Sequence, residues 1–156
     1  MKKPRNLLIA IFLLCSGSIL IALYLQIFKL VLPCPLCVLQ RYALVFIACC
    51  CLVALFTKKI WLCSFLGGIV SLAGIYLAVY QLWVIAHPAV QCGRDALEDA
   101  VNSFFLADWI PVLFKAESLC SDILEPFLFL TPPQWALLWY LFFAFVFAHL
   151  IWKKGA

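Results

Sequence analysis

The sequence predicts an all-α integral membrane protein, a four-transmembrane-helix bundle with N- and C-termini cytoplasmic. Three observations carry that prediction. Of 156 residues, 68% are hydrophobic and only 12% are charged, too little polar surface to keep one small core dissolved in water. Four apolar runs, at 7–28, 38–57, 60–86 and 134–152, each approach or exceed the roughly 20 residues a helix needs to cross a hydrocarbon layer. The basic residues cluster at alternate ends of those runs, as retention of Lys and Arg on the cytoplasmic side requires.

The first run follows Lys2, Lys3 and Arg5. It exceeds the ~7–15 residues of a secretory signal core, so it reads as a retained span. A lipoprotein signal at Cys15 is disfavoured by Leu14, which fills a position where a small residue belongs. Residues 29–37 make a short outer loop, Lys58 and Lys59 turn the chain back after the second span, 87–133 form a long outer loop, and Lys153 and Lys154 follow the fourth span. The outer side receives Lys29, Arg94 and Lys115, with Arg41 just inside the second span, and all seven acidic residues lie between Asp95 and Glu125. Trp61 and Trp152 fall near the inner face and Trp83 and Trp135 near the outer one, where indole rings favour the headgroup region. The whole chain, 1–156, reads as one membrane domain. Its net charge of +4 is a topological signal, and no basic stripe interleaved with aromatics marks a nucleic-acid partner.

Topology divides the nine cysteines. Cys15, Cys49, Cys50, Cys51 and Cys63 lie within the spans, where free Cys behaves as a small hydrophobe. Cys34, Cys37, Cys92 and Cys120 face outward, an even and pairable set. Cys92 and Cys120 alone read equally as a structural staple or as a redox pair. Cys34 and Cys37 do not suit a staple, because a bridge across two residues restricts little chain entropy; close pairing suits thiol exchange. No metal is expected, because strong zinc patterns offer two closely spaced ligand pairs and 27 residues separate Cys92 from Cys120.

The short loop ends in Pro33-Cys34-Pro35-Leu36-Cys37, at headgroup depth, with the second helix expected from about Val38. At a helix N-terminus the unpaired amides and the dipole favour an anion, so Cys37 is expected to exist substantially as thiolate, the species that attacks disulfides and electrophilic rings. Arg41 lies four residues on, on the same face and one turn deeper. A permanent cation inside a span needs a partner: the thiolate or the oxygen of a reduced quinone would serve, as would lipid phosphate if the side chain snorkels outward.

The string Cys34-Pro35-Leu36-Cys37-Val38-Leu39-Gln40-Arg41, opening the second of four spans, resembles the signature of the DsbB disulfide-oxidoreductase family, which includes the similar BdbC proteins. Cys92-Gly93, Trp109-Ile110-Pro111, Cys120 and Phe129-Leu130 through Pro133-Gln134-Trp135 resemble that family's second outer loop, so the likeness covers essentially the whole chain. The resemblance implies a multi-pass enzyme of the bacterial inner membrane that reoxidises a periplasmic thioredoxin-like (DsbA-like) dithiol protein and passes the electrons to a membrane quinone, ubiquinone or menaquinone. It further implies that the partner attacks a Cys92–Cys120 disulfide, at Cys92, and that the released Cys120 attacks Cys34. Cys37 is then freed as a thiolate facing the quinone, with Arg41 stabilising negative charge on the quinone oxygen.

Such a relay needs a long loop that stays near the membrane. Between Phe104 and Ala116 the apolar residues Phe105, Leu106, Trp109, Ile110, Val112, Leu113 and Phe114 are interrupted by Asp108, Pro111 and Lys115. The stretch is too short and broken to span, and is expected to lie along the interface or pack on the bundle. Gln81-Leu82-Trp83 to His87-Pro88 resembles the end of the family's third span. His87 is a candidate quinone ligand or proton relay, or a solvated interfacial imidazole; Gln81 is a candidate quinone contact or a helix-to-helix hydrogen bond. Two competing functions share the helices: a quinone enzyme run in the reductive direction, of the vitamin K epoxide reductase type, whose cysteine layout differs, and a non-enzymatic tetraspan protein with a stapled outer loop.

Overall fold

The structure is a computed structural model that describes residues 2–30, 32–57, 59–87, 94–118 and 128–155. Every element in it is helical: α1 (Lys2–Lys29), α2 (Pro35–Thr57), α3 (Ile60–Ala86), α4 (Arg94–Asn102), α5 (Phe105–Trp109), α6 (Pro111–Phe114) and α7 (Pro132–Gly155). Among the described residues four helices, α1, α2, α3 and α7, are long and apolar enough to cross a membrane. The protein is therefore an all-α, multi-pass membrane bundle.

Helix ends differ from the hydropathy runs because hydropathy does not register caps. Helix α2 starts at Pro35, three residues before the apolar run, since proline at the first helical position has a preset φ and no amide to satisfy. Helix α7 starts at Pro132 for the same reason, and the Gln134 side chain reaches back to accept from the Thr131 amide at 2.8 Å, half of a capping box.

The principal contacts run α1 on α2, α2 on α3 and α3 on α7. The last is close because Gly67, Ser71, Gly74 and Ala78 recur every three or four residues down α3, and small residues let helix backbones approach. Tyr140 and Phe147 of α7, both fully buried, fill the space: a Cβ on Gly67 would stand 2.7 Å from the Phe147 ring, and one on Gly74 would enter the Tyr140 ring. Gly74→Ala is therefore expected to lower the thermal midpoint in detergent, by about 1–3 kcal/mol of stability on the scale of overpacked cores. An unchanged midpoint would mean that Tyr140 can swing aside.

Leu8, Ile11 and Cys15 of α1, Ile47, Cys51 and Ala54 of α2, and Phe143 and Phe147 of α7 form the main core. Cys50 and Cys63 are also buried there, and Cys49 is exposed. Outward-facing positions are apolar as well, Phe28, Phe56, Tyr76 and Phe145 among them, the all-round hydrophobicity that distinguishes a helix in lipid from one in water.

The stretch 104–116 folds into α5 and α6 and lies against α2. Ala107, Phe114 and Ala116 cluster with Val38 and Val101, Tyr42 stacks on Phe114 with ring centroids 4.4 Å apart, and the Asn102 amide both donates to and accepts from the Ala116 backbone. Phe105, Trp109 and Val112 face away from the bundle, Trp109 with 81% of its surface exposed. One face of the stretch is packed and the other remains open and apolar.

Candidate functional site

Cys34 is the N-cap of α2. Its carbonyl accepts the first helical bond, from Val38 at 3.0 Å, and its sulfur accepts from the Cys37 amide at 3.3 Å, the reach of an N-cap side chain to the third helical residue. Starting the helix at Pro35 thus places Cys37 in the first turn, among amides with no intrahelical partner. The two sulfurs lie 2.9 Å apart, within hydrogen-bonding distance. Cys34 is buried against Leu36 and Val84, whereas Cys37 is partly accessible.

Gln81 comes to this pair from α3. Its Nε2 donates to Cys37 Sγ at 3.1 Å and to Cys34 Sγ at 3.4 Å, and its Oε1 accepts from Gln40 Nε2 at 2.9 Å. Gln40 is in turn fixed by Tyr140, whose hydroxyl donates to the Gln40 carbonyl at 2.6 Å.

Arg41 is 93% shielded, 7% of its surface remaining accessible. Its Nη1 donates to Gln26 Oε1 of α1 at 2.8 Å and to the Leu113 carbonyl of α6 at 3.0 Å. Neither partner is anionic, so the guanidinium carries a net positive charge into the bundle while keeping its geometry fixed from two sides.

A cavity of about 330 Å³ opens between α1 and α7, a size in the range of small-molecule sites. Ile21, Ala22 and Leu25 of α1, Leu44 of α2, and Trp135, Trp139 and Tyr140 of α7 supply an apolar and aromatic wall; Cys37, Gln40 and Arg41 supply its polar corner. Such a space suits a flat ring with an apolar tail, with a cation for a ring oxygen and a sulfur beside it. Those are the demands of a quinone, and the donor set fits them.

Cys34, Cys37, Arg41 and Gln81 converge at the N-terminal end of α2, but Gln81 faces the sulfurs and does not line the cavity. His87 also lies outside the cavity wall: it is exposed at the C-cap of α3, its ring stacked on Trp83 at 4.8 Å and its Nδ1 2.9 Å from the Trp83 carbonyl oxygen. Cys92 and Cys120 lie outside the described residues. The chain leading towards Cys120 is nonetheless held beside Cys34: the Glu117 and Ser118 amides donate to the Pro33 carbonyl at 2.9 and 3.3 Å, and Ser118 Oγ donates to the Leu32 carbonyl at 2.8 Å. Gln26 and Tyr140 carry no role in the sequence, and Gln40 none beyond its place in the Cys34–Arg41 string. An amide within an apolar run is the signal that was available for the two glutamines.

The family described as DsbB, Disulfide bond formation protein DsbB, matches residues 4–150 of the chain. The Disulfide bond formation protein B of Herminiimonas arsenicoxydans is 39% identical over 156 residues, covering 99% of each chain. That of Nitrosomonas eutropha is 40% identical over 158 aligned residues, 96% of this chain and 95% of its own. That of Cupriavidus necator is 39% identical over 140 residues, 88% and 86%.

Proposed function

The chain belongs to the DsbB family of disulfide bond formation proteins, and from that premise we propose that it is a quinone-linked thiol oxidase of the bacterial inner membrane. Its substrate is a periplasmic DsbA-like dithiol protein of thioredoxin-like fold, and its electron acceptor is ubiquinone or menaquinone. The observation that carries this reading is that Cys37 and Arg41 share one apolar cavity while Cys34 touches Cys37 from outside it.

In this reading the active end of the bundle faces the periplasm and both termini the cytoplasm, in keeping with the lysines between α2 and α3 and at the chain ends. A partner thiolate attacks Cys92 of a Cys92–Cys120 disulfide, and the partner's second thiol completes its own disulfide, leaving Cys92 and Cys120 reduced. Cys120 attacks Cys34 of a Cys34–Cys37 disulfide; a new bond forms to Cys34, the old one breaks, and Cys37 leaves as thiolate. Cys92 then attacks Cys120, restoring the loop disulfide and returning Cys34 as a thiol. The backbone contacts of Glu117 and Ser118 to Leu32 and Pro33 support the short transfer from Cys120 to Cys34.

Cys37 and Cys34 now hold the two electrons. Arg41 would bind and orient a ring oxygen, the tryptophans and Tyr140 would clamp the ring and exclude water, and the opening between α1 and α7 would let an apolar tail run into lipid. A bound quinone supplies a two-electron, two-proton sink. Because ~30 mV of potential difference in a two-electron step corresponds to about 1.4 kcal/mol, an acceptor of high potential can restore even a strongly oxidising disulfide.

Thiol trapping in membranes tests the proposal. With quinone depleted and reduced partner added, Cys34 and Cys37 are expected to be trapped as thiols and to reoxidise within one mixing step when quinone is returned. A pair that stays oxidised throughout would mean a static staple, and the oxidase reading would fall.

A further inference from the structure

We propose that Gln81 is a positioning residue for the Cys34–Cys37 pair: Gln40 holds its amide in one orientation, in which its N–H groups face both sulfurs and stabilise an anionic Cys37 from outside the cavity. This deepens the reading of Cys37 as the electron-donating sulfur and rests on it for its kinetic consequence.

The side-chain amide of Gln81 is almost completely buried, 1% exposed. A buried amide needs partners for a carbonyl oxygen and two N–H groups, and the network decides which end faces which. The oxygen takes the Gln40 Nε2 hydrogen at 2.9 Å, so the nitrogen is the end turned to the sulfurs, at 3.1 Å from Cys37 and 3.4 Å from Cys34. The reverse orientation would set an oxygen against sulfur. That is tolerable for a thiol, which can donate, and unfavourable for a thiolate, which can only accept. A hydrogen bond to an ionised acceptor is also about twice as strong as one to a neutral acceptor. The observed orientation therefore favours the state from which Cys37 gives up electrons.

The arrangement draws on three helices. Gln40 sits on α2 three residues beyond Cys37, and its backbone carbonyl is tied to Tyr140 of α7, itself part of the cavity wall. Gln81 stands behind that wall, bonded to Cys37 and Gln40 without lining the cavity itself, so its effect on the reaction passes through the sulfurs and not through contact with the acceptor.

The test uses full-length, fully reduced protein in detergent, stripped of quinone, with Gln81→Met and Gln81→Leu. Met matches the unbranched shape of Gln and lacks the donor, so it separates the hydrogen bond from packing. The first readout is the iodoacetamide alkylation rate of Cys37, followed by peptide mass mapping at neutral pH. The second is kcat and KM for quinone with the dithiol partner. Alkylation of Cys37 and kcat are expected to fall roughly tenfold in both variants, the low end of what a hydrogen bond to an ion contributes, with quinone KM unchanged. Wild-type alkylation in Gln81→Met overturns the proposal, and so does a raised quinone KM with unchanged alkylation, which would make Gln81 an acceptor ligand. Absence of quinone turnover in the wild-type protein would sink the oxidase reading, while the alkylation rates would still decide the role of Gln81.

Discussion

Replacing Cys37 with Ser is expected to reduce steady-state thiol oxidation by at least ~10³-fold, the scale on which loss of a nucleophile acts, and to leave a single turnover's worth of oxidation behind. Cys37 is the sulfur that both meets Cys34, at 2.9 Å, and lines the cavity. A hydroxyl there can neither pair with Cys34 nor donate electrons. The outer-loop cysteines would remain, however, so each chain should still oxidise one equivalent of dithiol partner and then stop. Rapid-quench trapping of the partner against chain concentration checks this. Continued turnover beyond one equivalent would show that electrons leave by a route that avoids Cys37, and the mechanism would have to be abandoned. A fold defect would abolish the first equivalent as well, so the shape of the time course separates the two.

Hydropathy made the bundle legible because each span is a long contiguous signal. The cysteine spacing and the cation one turn below it made the core of the site legible, since both lie within eight residues of one helix start. What was not legible was rotation and pairing. Gln81 and Gln40 are 41 positions apart, and Gln26 and Arg41 are 15 apart; nothing local tells which face of α3 or α1 turns towards α2. The same blindness left Gln81 open between an acceptor contact and a helix-to-helix hydrogen bond; it makes the latter, with Gln40, and turns its amide nitrogen to the sulfurs. Helix α2 begins at Pro35 and not Val38 because a proline start is a steric matter that an apolar window ignores. That shift makes Cys34 a cap and places Cys37 inside the first turn. The approach of α3 to α7 depended on Gly67 and Gly74 meeting Phe147 and Tyr140, a complementarity visible only when both helices are seen together.

Arg41→Met is expected to raise quinone KM and to lower kcat/KM by about 10²-fold, the effect of removing one hydrogen bond from a buried cation to an oxygen that gains negative charge. The side chain is buried, lines the cavity beside Cys37, and is held by two neutral acceptors, Gln26 and the Leu113 carbonyl. A cation kept in low dielectric without an anionic ligand is costly. That cost is reasonable if the reaction itself delivers the negative charge. Arg41→Lys should recover only part of the loss, because a compact ammonium keeps the charge but not the planar fork that can serve Gln26, Leu113 and a ring oxygen together. The competing account is mechanical: through Leu113, Arg41 also fastens α6 to α2, and its loss could loosen the outer loop alone. Limited proteolysis of 94–118 and quinone titration, run on the same variant, tell the two apart. Faster cleavage with unchanged quinone affinity would reduce Arg41 to a strut for the loop, whereas weakened affinity in a loop that resists protease as before assigns it to the acceptor.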